Sequence, residues 1–422
     1  MNRLPNDVDV VVIGGGIIGC CTAYFLAQFG ERVALCEKGQ IGLEQSTRNW
    51  GFVRKQGRHP AEIPMMIRSL DLWFELQSLW SDDMGLHRGG TLYLSDDEKR
   101  YAANQAWLQH AKDFELDTKF LSLSELNALV PTLEQQARGA LYTPSDAKAE
   151  PDKAMNAIQS ACEAAGVSVL SNCAVRTVDI SAGRVSGVVT EHGRIACNRA
   201  VVCGGAWSRY FLRHLDVELP QLKVIGSVMQ IEAGPKVLDQ SIWSNGLGIR
   251  HRQDGGYNVA FGGSFDCDLT PDHIRYFRRF LPAYRAGKED VSLKLGKRFF
   301  RELGWRSSWD GGDATPFERY RTLNPKPNEK LLAAAHLKMG ALFPPLANLR
   351  IVRKWAGMID VTPDELPVID AVARFPGLFV STGYSGHGFG IGPGAGETTA
   401  ALVSGRALPC EINAFQLDRM HQ

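Results

Sequence analysis

The chain has 422 residues, with a formal net charge of +1 and a pI of about 7.6. That length exceeds one comfortable core and predicts two closely packed domains with room between them for a large ligand. The balanced charge predicts no basic field for nucleic acid or anionic lipid and points to a small-molecule partner.

Val8 to Ile13 is a β-branched run that ends at Gly14, and from Ile17 to Phe29 the apolar residues take helical spacing until Gly30. This stretch is apolar enough to suggest a signal or membrane segment, but its glycines and its acidic flank of Asp7 and Asp9 argue against both. Arg32 to Glu37 is a second strand. Strand, glycine turn, helix and strand within thirty residues open a doubly wound sheet. A helix is expected from Met65 to Trp80 and a strand from Gly90 to Leu94. Shorter helical pieces follow around 106–114 and 123–129. Pro151 to Ala165 reads as a helix stopped by Gly166. Strands at Val167–Leu170, Val175–Ile180, Val185–Thr190 and Ala200–Cys203 are expected to return the chain to the first sheet. From Gln221 to Phe265 strand patterns separated by Gly255-Gly256 and Gly262-Gly263 predict an antiparallel sheet, the expected substrate domain. Pro271 to Tyr320 is arginine-rich, with helices expected at Ile274–Leu281 and Ser292–Leu303. Leu378–Ser381 is a strand that enters the glycine-rich segment from Gly383 to Gly396.

The fold class expected is α/β, or α+β overall, with a Rossmann-like nucleotide domain and a mixed or antiparallel substrate domain. The nucleotide domain is discontinuous, from residues 1–85, 145–215 and 346–422, and the substrate domain takes 86–144 and 216–345.

Gly14, Gly16 and Gly19 satisfy G-x-G-x-x-G directly between a strand and a helix, with Ile17 and Ile18 opening that helix. The spacing allows a tight turn, backbone approach to a pyrophosphate and close helix–strand packing. Glu37 ends the second strand, where a carboxylate accepts from both ribose hydroxyls, with Lys38 beside it. That disfavours NADP and leaves NAD and FAD equal. Three further segments favour a flavin. Ser46, Thr47, Arg48, Asn49, Trp50 and Gly51 supply small, donor-rich residues after the second strand. Cys203, Gly204 and Trp207 lie on a strand end and glycine turn. Gly383, Ser385, Gly386, His387, Gly388 and Phe389 deliver a strand into a helix start whose N–H groups suit the pyrimidine oxygens of an isoalloxazine.

In four blocks the chain resembles the D-amino acid oxidase family of FAD enzymes, which includes glycine oxidase and monomeric sarcosine oxidase. The blocks are Gly14–Glu37, Val201–Ser208, Trp355-Ala356-Gly357 with Thr362–Ile369, and Gly383–Gly396. The resemblance implies that Glu37 holds the ribose, Val175 pairs its backbone with the adenine, and Gly357 and Gly383–Phe389 lie about the flavin. It also implies hydride transfer from a carbon bearing nitrogen to flavin N5, which gives an imine that hydrolyses. The reoxidant would be oxygen or a quinone-type acceptor. Cysteine is missing from Trp355 to Asp370, so the FAD is expected to be non-covalent.

The resemblance stops at the substrate. Where relatives carry a carboxylate-binding arginine after W-A-G, this chain has Met358, Ile359 and Asp360. Where sarcosine oxidase carries a lysine, it has Gly390. Arg54 is the nearest match to that enzyme's arginine, in a loop crowded by Arg48 and Arg58, and is the candidate carboxylate clamp. His387 is placed against the flavin. His251 is a further catalytic candidate, flanked by Arg250 and Arg252, which alternation puts on one face as hairpin charges toward water. Asp360 would favour a cationic substrate end if it faces the pocket. Trp50, Tyr257 and Phe343 are candidate pocket walls or core. The nine cysteines form no C-x-x-C pair and no cluster with histidine, so no metal is expected, and their odd number fits a reducing cytoplasm. Two rival readings remain. One is a 2-hydroxy acid or polyol dehydrogenase, which needs a histidine base. The other is a flavin-binding subunit of a larger complex.

Overall fold

The computed structural model describes residues 3–134, 137–244 and 246–421. β1 (Val10–Ile13), α1 (Ile17–Gln28) and β2 (Val33–Cys36) form the opening unit, and β1 lies inside a six-stranded sheet. β1 pairs in parallel with β2 and with Arg199–Val202. Ser168–Leu170 extends the sheet beyond β2. Leu378–Thr382 extends the other side, followed by the antiparallel edge strand Val368–Ala371. Strands covered on both faces must be apolar throughout. Accordingly Val10 and Val12 enter one core with α1, while Val11 and Ile13 enter a second core on the opposite face.

α1 is buried almost all round, which explains why it lacks a polar stripe. One side meets the helix Gly388–Val403, which packs in turn on the helix Ile63–Leu79. The glycine-rich C-terminal segment is therefore a structural partner of the first glycine turn. No helix among the described residues is long and apolar enough to cross a membrane.

Most of the remaining strands form one large mixed sheet with its own core. Leu222–Ile231 is its axis, paired antiparallel with Tyr257–Phe261 and with Ile351–Val361. The segment between Gln221 and Phe265 is antiparallel, with turns at both glycine pairs as expected. Thr91–Leu94 and Ala140–Thr143 join the same sheet.

Several expectations are corrected. Val175–Ser181 and Arg184–Thr190 do not return to the first sheet: with Gly193–Ala196 they form a separate antiparallel meander. Their tight turns and alternating burial suit a small sheet wet on one face. The eleven-residue strand Ile351–Val361 lies on the large sheet, although the expected boundary at 346 gave it to the nucleotide-binding part. Ser292–Lys294 belongs to a strand, and helix starts only at Lys297. Tyr257 and Phe343 are fully buried members of the large sheet's core and line neither of the two spaces described below.

Candidate active site

The C-terminal end of β1 opens into a long cleft. Gly14 turns the chain with φ +112°, a conformation other residues rarely adopt, and its N–H donates to the Cys36 carbonyl at 2.8 Å. Gly16 caps α1 without a side chain, and the Ser46 hydroxyl accepts from the Ile17 N–H at 2.9 Å. The helix start is thus turned toward the cleft with small groups only, as a pyrophosphate requires. Glu37 lines the same cleft, its two oxygens accepting from the Gly15 and Gly39 N–H groups at 2.8 and 2.7 Å. Burial pushes its carboxyl up, against Lys38 and these two bonds. Lys38 pairs with Glu44 at 2.6 Å and lies over the Trp207 ring.

Of the sequence candidates, Gly14, Gly16, Ile17, Ile18, Glu37, Lys38, Ser46, Asn49, Val175, Cys203, Gly204, Trp207, Gly386, Gly388 and Phe389 line this cleft. Gly19, Gly51, Gly357 and Gly383 do not. They are points of close packing, against Gly14, against Ala149 and Arg250, against Gln45 and Arg48, and against Thr362. The Thr47 hydroxyl donates to the Gly42 carbonyl.

Arg48, Trp50, Arg54, Ser385 and His387 line a second chamber of about 590 Å³ instead. The two spaces share Gln45, Asn49, Gly386 and Phe389. The strand Ile351–Val361 forms a partition, because alternation points Met358 and Asp360 into the cleft and Ile359 and Val361 into the chamber. Asp360 is therefore not a chamber group. It is buried, accepts from the Gly383 N–H at 2.9 Å and from Gln221 at 2.8 Å, and burial pushes its carboxyl up.

The chamber has an aromatic side and a cationic end. Trp50 and Trp243 stack at 5.2 Å, with Tyr93 tilted against Trp243. Arg54 lies over the Tyr93 ring, 5.4 Å from its centroid, and donates to the Gln56 carbonyl. The loop carrying it is fixed by buried Asp146, which accepts from the Lys55 and Gln56 N–H groups. Arg58, which sequence reasoning left undistinguished among three crowded arginines, is 4% exposed. Its Nε donates to the Arg54 carbonyl at 3.3 Å, and its Nη1 has no partner. Burial and neighbouring Arg54 push its pKa down to about 10, so it stays cationic at neutral pH. His387 faces Arg58 across Glu62, 3.2 Å from a carboxylate oxygen. Burial, with Arg58 and Arg54 beside it, holds His387 below its ordinary value. Burial opposes ionisation of Glu62, yet His387 and Arg58 keep that carboxyl below its usual value.

Two further expectations fail. His251 lines neither space; it sits edge-on to Tyr257, and burial lowers its pKa. Arg250 is not a wet hairpin charge but fully buried, bidentate to Glu150 at 2.8 and 2.9 Å and donating to the Trp50 carbonyl. Arg252 is nearly buried and pairs with Asp254. Arg250 thereby holds the chamber wall through Trp50. No group of three metal-ligating side chains occurs among the described residues.

The cleft fits FAD. It offers a bare helix start, a buried carboxylate at the end of β2 and a glycine-lined far end, and the Gln45 Oε1 is buried without a partner where cleft and chamber meet. The family model for FAD dependent oxidoreductases of the DAO type matches residues 9–402. The chain belongs to that family. Its chemistry is FAD-dependent oxidation. It is 27% identical to a glycine oxidase of Pseudomonas aeruginosa, over 94% of this chain and 95% of that one. It is also 31% identical to the mitochondrial sarcosine dehydrogenase of Mus musculus, over 99% of this chain but 42% of that protein. Among solved structures, the L-amino acid deaminase of Proteus myxofaciens in complex with anthranilate superposes with a TM-score of 0.95. That pair is 30% identical and covers 99% and 95% of the two chains.

Proposed function

We propose that this enzyme oxidises the C–N bond of an α-amino acid or N-substituted amino acid with an apolar or aromatic side chain. The observation that carries the proposal is the unpartnered, buried guanidinium nitrogen of Arg58 at the cationic end of an otherwise aromatic chamber. A buried donor without a partner costs about 1–3 kcal/mol, and more when charged, so the site is built for an anion supplied by a ligand. A carboxylate held by Arg58 and Arg54 meets that need, while Trp50, Trp243 and Tyr93 take the side chain and exclude water.

FAD bound in the cleft supplies the acceptor for a hydride from the carbon bearing nitrogen. The protein's own part is positioning. Two arginines fix the carboxylate, and the shared residues Gln45, Asn49, Gly386 and Phe389 border the place where the α-carbon meets the cofactor. The same positive charges disfavour the substrate's ammonium form and favour the neutral amine from which a hydride leaves. No histidine base is required, and the imine product hydrolyses in water. The names of the relatives, glycine oxidase, sarcosine dehydrogenase and L-amino acid deaminase, support this class. We propose that the enzyme is cytoplasmic and takes a small-molecule substrate, a reading supported by nine cysteines that are all free thiols.

The test is anaerobic bleaching of the purified yellow enzyme by a panel of apolar L- and D-amino acids, N-methyl amino acids, polyamines and 2-hydroxy acids. Bleaching by apolar amino acids, with rates that rise with pH, is the expected result. Bleaching by 2-hydroxy acids alone would overturn it and make His387 the base. Bleaching by none would favour a subunit of a larger complex.

A further inference from the structure

Arg250 serves the chamber wall, but Arg252 belongs to a third space of about 310 Å³, within the size range of small-molecule sites. The floor of this pocket is a row across three strands of the large sheet, in which Gln230 pairs with Asn258 on one side and Arg353 on the other. One wall is the first turn of the helix Pro151–Ala164, which starts without a side-chain cap. Thr47, Asn49 and Trp355 also line it, and Asn49 borders the cleft and the chamber as well. Two deep groups lack partners. Arg252 is 9% exposed; its Nε and Nη2 go to Asp254, and its Nη1 donates to nothing. Asn258 is 4% exposed, and its Oδ1 accepts from nothing. Glu150 is already taken by Arg250 and the Gln253 N–H, and Lys153 by Asp83 and Gln253. A buried donor and a buried acceptor left open in one pocket call for a ligand that carries an acceptor and a donor together. The surrounding charges agree, because Arg252, Arg353 and Lys153 are matched among the lining residues by Glu150, Asp152 and Asp254. A plain anion would meet the carboxylates and a plain cation the arginines, whereas a zwitterion suits both sets.

We propose that this pocket is a second ligand site, which binds a free α-amino acid in its zwitterionic form. The carboxylate accepts from Arg252 Nη1 and the ammonium donates to Asn258 Oδ1, each a charge-assisted bond. These groups recognise a zwitterion whatever the chamber oxidises. The occupant is also felt at the flavin. Asn49 holds the turn before Gly51, donating to the Ser46 carbonyl at 2.6 Å and accepting from the Gly51 N–H at 2.7 Å. Trp355 donates to the Arg48 carbonyl at 3.0 Å, and Glu150 grips Arg250, which holds Trp50. Occupancy of the pocket therefore bears on the one loop that the cleft and the chamber both use, which couples the second site to the first.

The probe is 2-aminoisobutyrate, a zwitterion without the α-hydrogen that oxidation removes. Its binding to the FAD-loaded full chain is measured by calorimetry, together with the flavin's visible absorption. The expected result is binding that shifts this absorption and survives Arg58→Met, which removes the chamber's unpartnered guanidinium. Arg252→Met and Asn258→Leu should each weaken that binding at least about tenfold through loss of one charge-assisted bond. Arg353→Glu, at the exposed rim, leaves the packing intact and should weaken it several-fold. Acetate and methylammonium, each half of the zwitterion, should bind far more weakly. Binding unchanged by Arg252→Met and Arg353→Glu would overturn the proposal, as would binding lost in Arg58→Met alone. Acetate binding as tightly as the zwitterion, or a flavin spectrum that does not move, would overturn it too. Substrate bleaching left intact by Arg58→Met, with pocket binding retained, would instead remove the chamber's assignment and leave the pocket's standing.

Discussion

Arg58 is the side chain whose environment calls most directly for a ligand, and its replacement separates a binding role from a structural one. Arg58→Met should lower kcat/KM for amino acid substrates by about 3 kcal/mol, roughly a hundredfold, through loss of a charge-assisted bond. The variant's Tm should hold or rise, because it removes a buried cation lacking a full set of partners. A large fall in Tm would instead make the arginine structural. His387 provides a second test. Its folded pKa lies below the ordinary histidine value, chiefly through burial. The folded state thus resists protonation more than the unfolded chain, and stability is lost as pH falls from about 6.5 toward the lowered folded value. His387→Gln should flatten that acid limb in denaturant unfolding below about pH 6.5, with bleaching at pH 8 largely retained. At this scale the sequence showed which residue types crowd the site but not which face it. Arg48, Arg54 and Arg58 read alike in the chain, whereas their surroundings depend on the remote residues Tyr93 and Trp107. His251 looked like a base only because nothing local reveals that its strand, Leu247–His251, lies outside the chamber lining.

At the level of elements, the glycines of the helix Gly388–Val403 explain why a strand-to-helix turn near the C-terminus belongs with the first one. Gly390 lies against the backbone of Phe52 and Val53, while a side chain at Gly396 would run into Cys21 on α1. Gly396→Ala should therefore force apart the two helices that flank the cofactor cleft, at a cost of about 1–3 kcal/mol. Thermal unfolding and FAD titration should show a lower Tm together with weaker FAD binding. A loss of Tm alone, with FAD affinity intact, would show that the cleft does not sense this packing. Such local rules were readable early. The glycine spacing, the alternation of β1 and the hairpin glycine pairs act through neighbours in sequence, and the elements formed where those patterns lie. Sheet membership was not readable. Val175–Ser181 and Ile351–Val361 carry ordinary strand patterns, and only pairing with remote strands decides that one forms a separate meander and the other a partition of the site.

For the molecule as a whole, FAD binds the folded chain and not the unfolded one, so stability and cofactor content should move together. At a hundredfold excess over Kd the cofactor contributes about 2.7 kcal/mol, and the FAD-free chain should melt correspondingly earlier in calorimetry. An unchanged Tm would mean that the cleft is held by the fold alone. The four residues common to cleft and chamber carry this further. Gln45, Asn49, Gly386 and Phe389 contact whatever occupies either space, so the two occupants cannot be thermodynamically independent. A carboxylic acid inhibitor that tightens retention of the cofactor must itself bind more tightly to the loaded enzyme by the same factor. An enzyme short of FAD would then recover fastest where its substrate is plentiful, which makes substrate supply a determinant of how much of the protein is active.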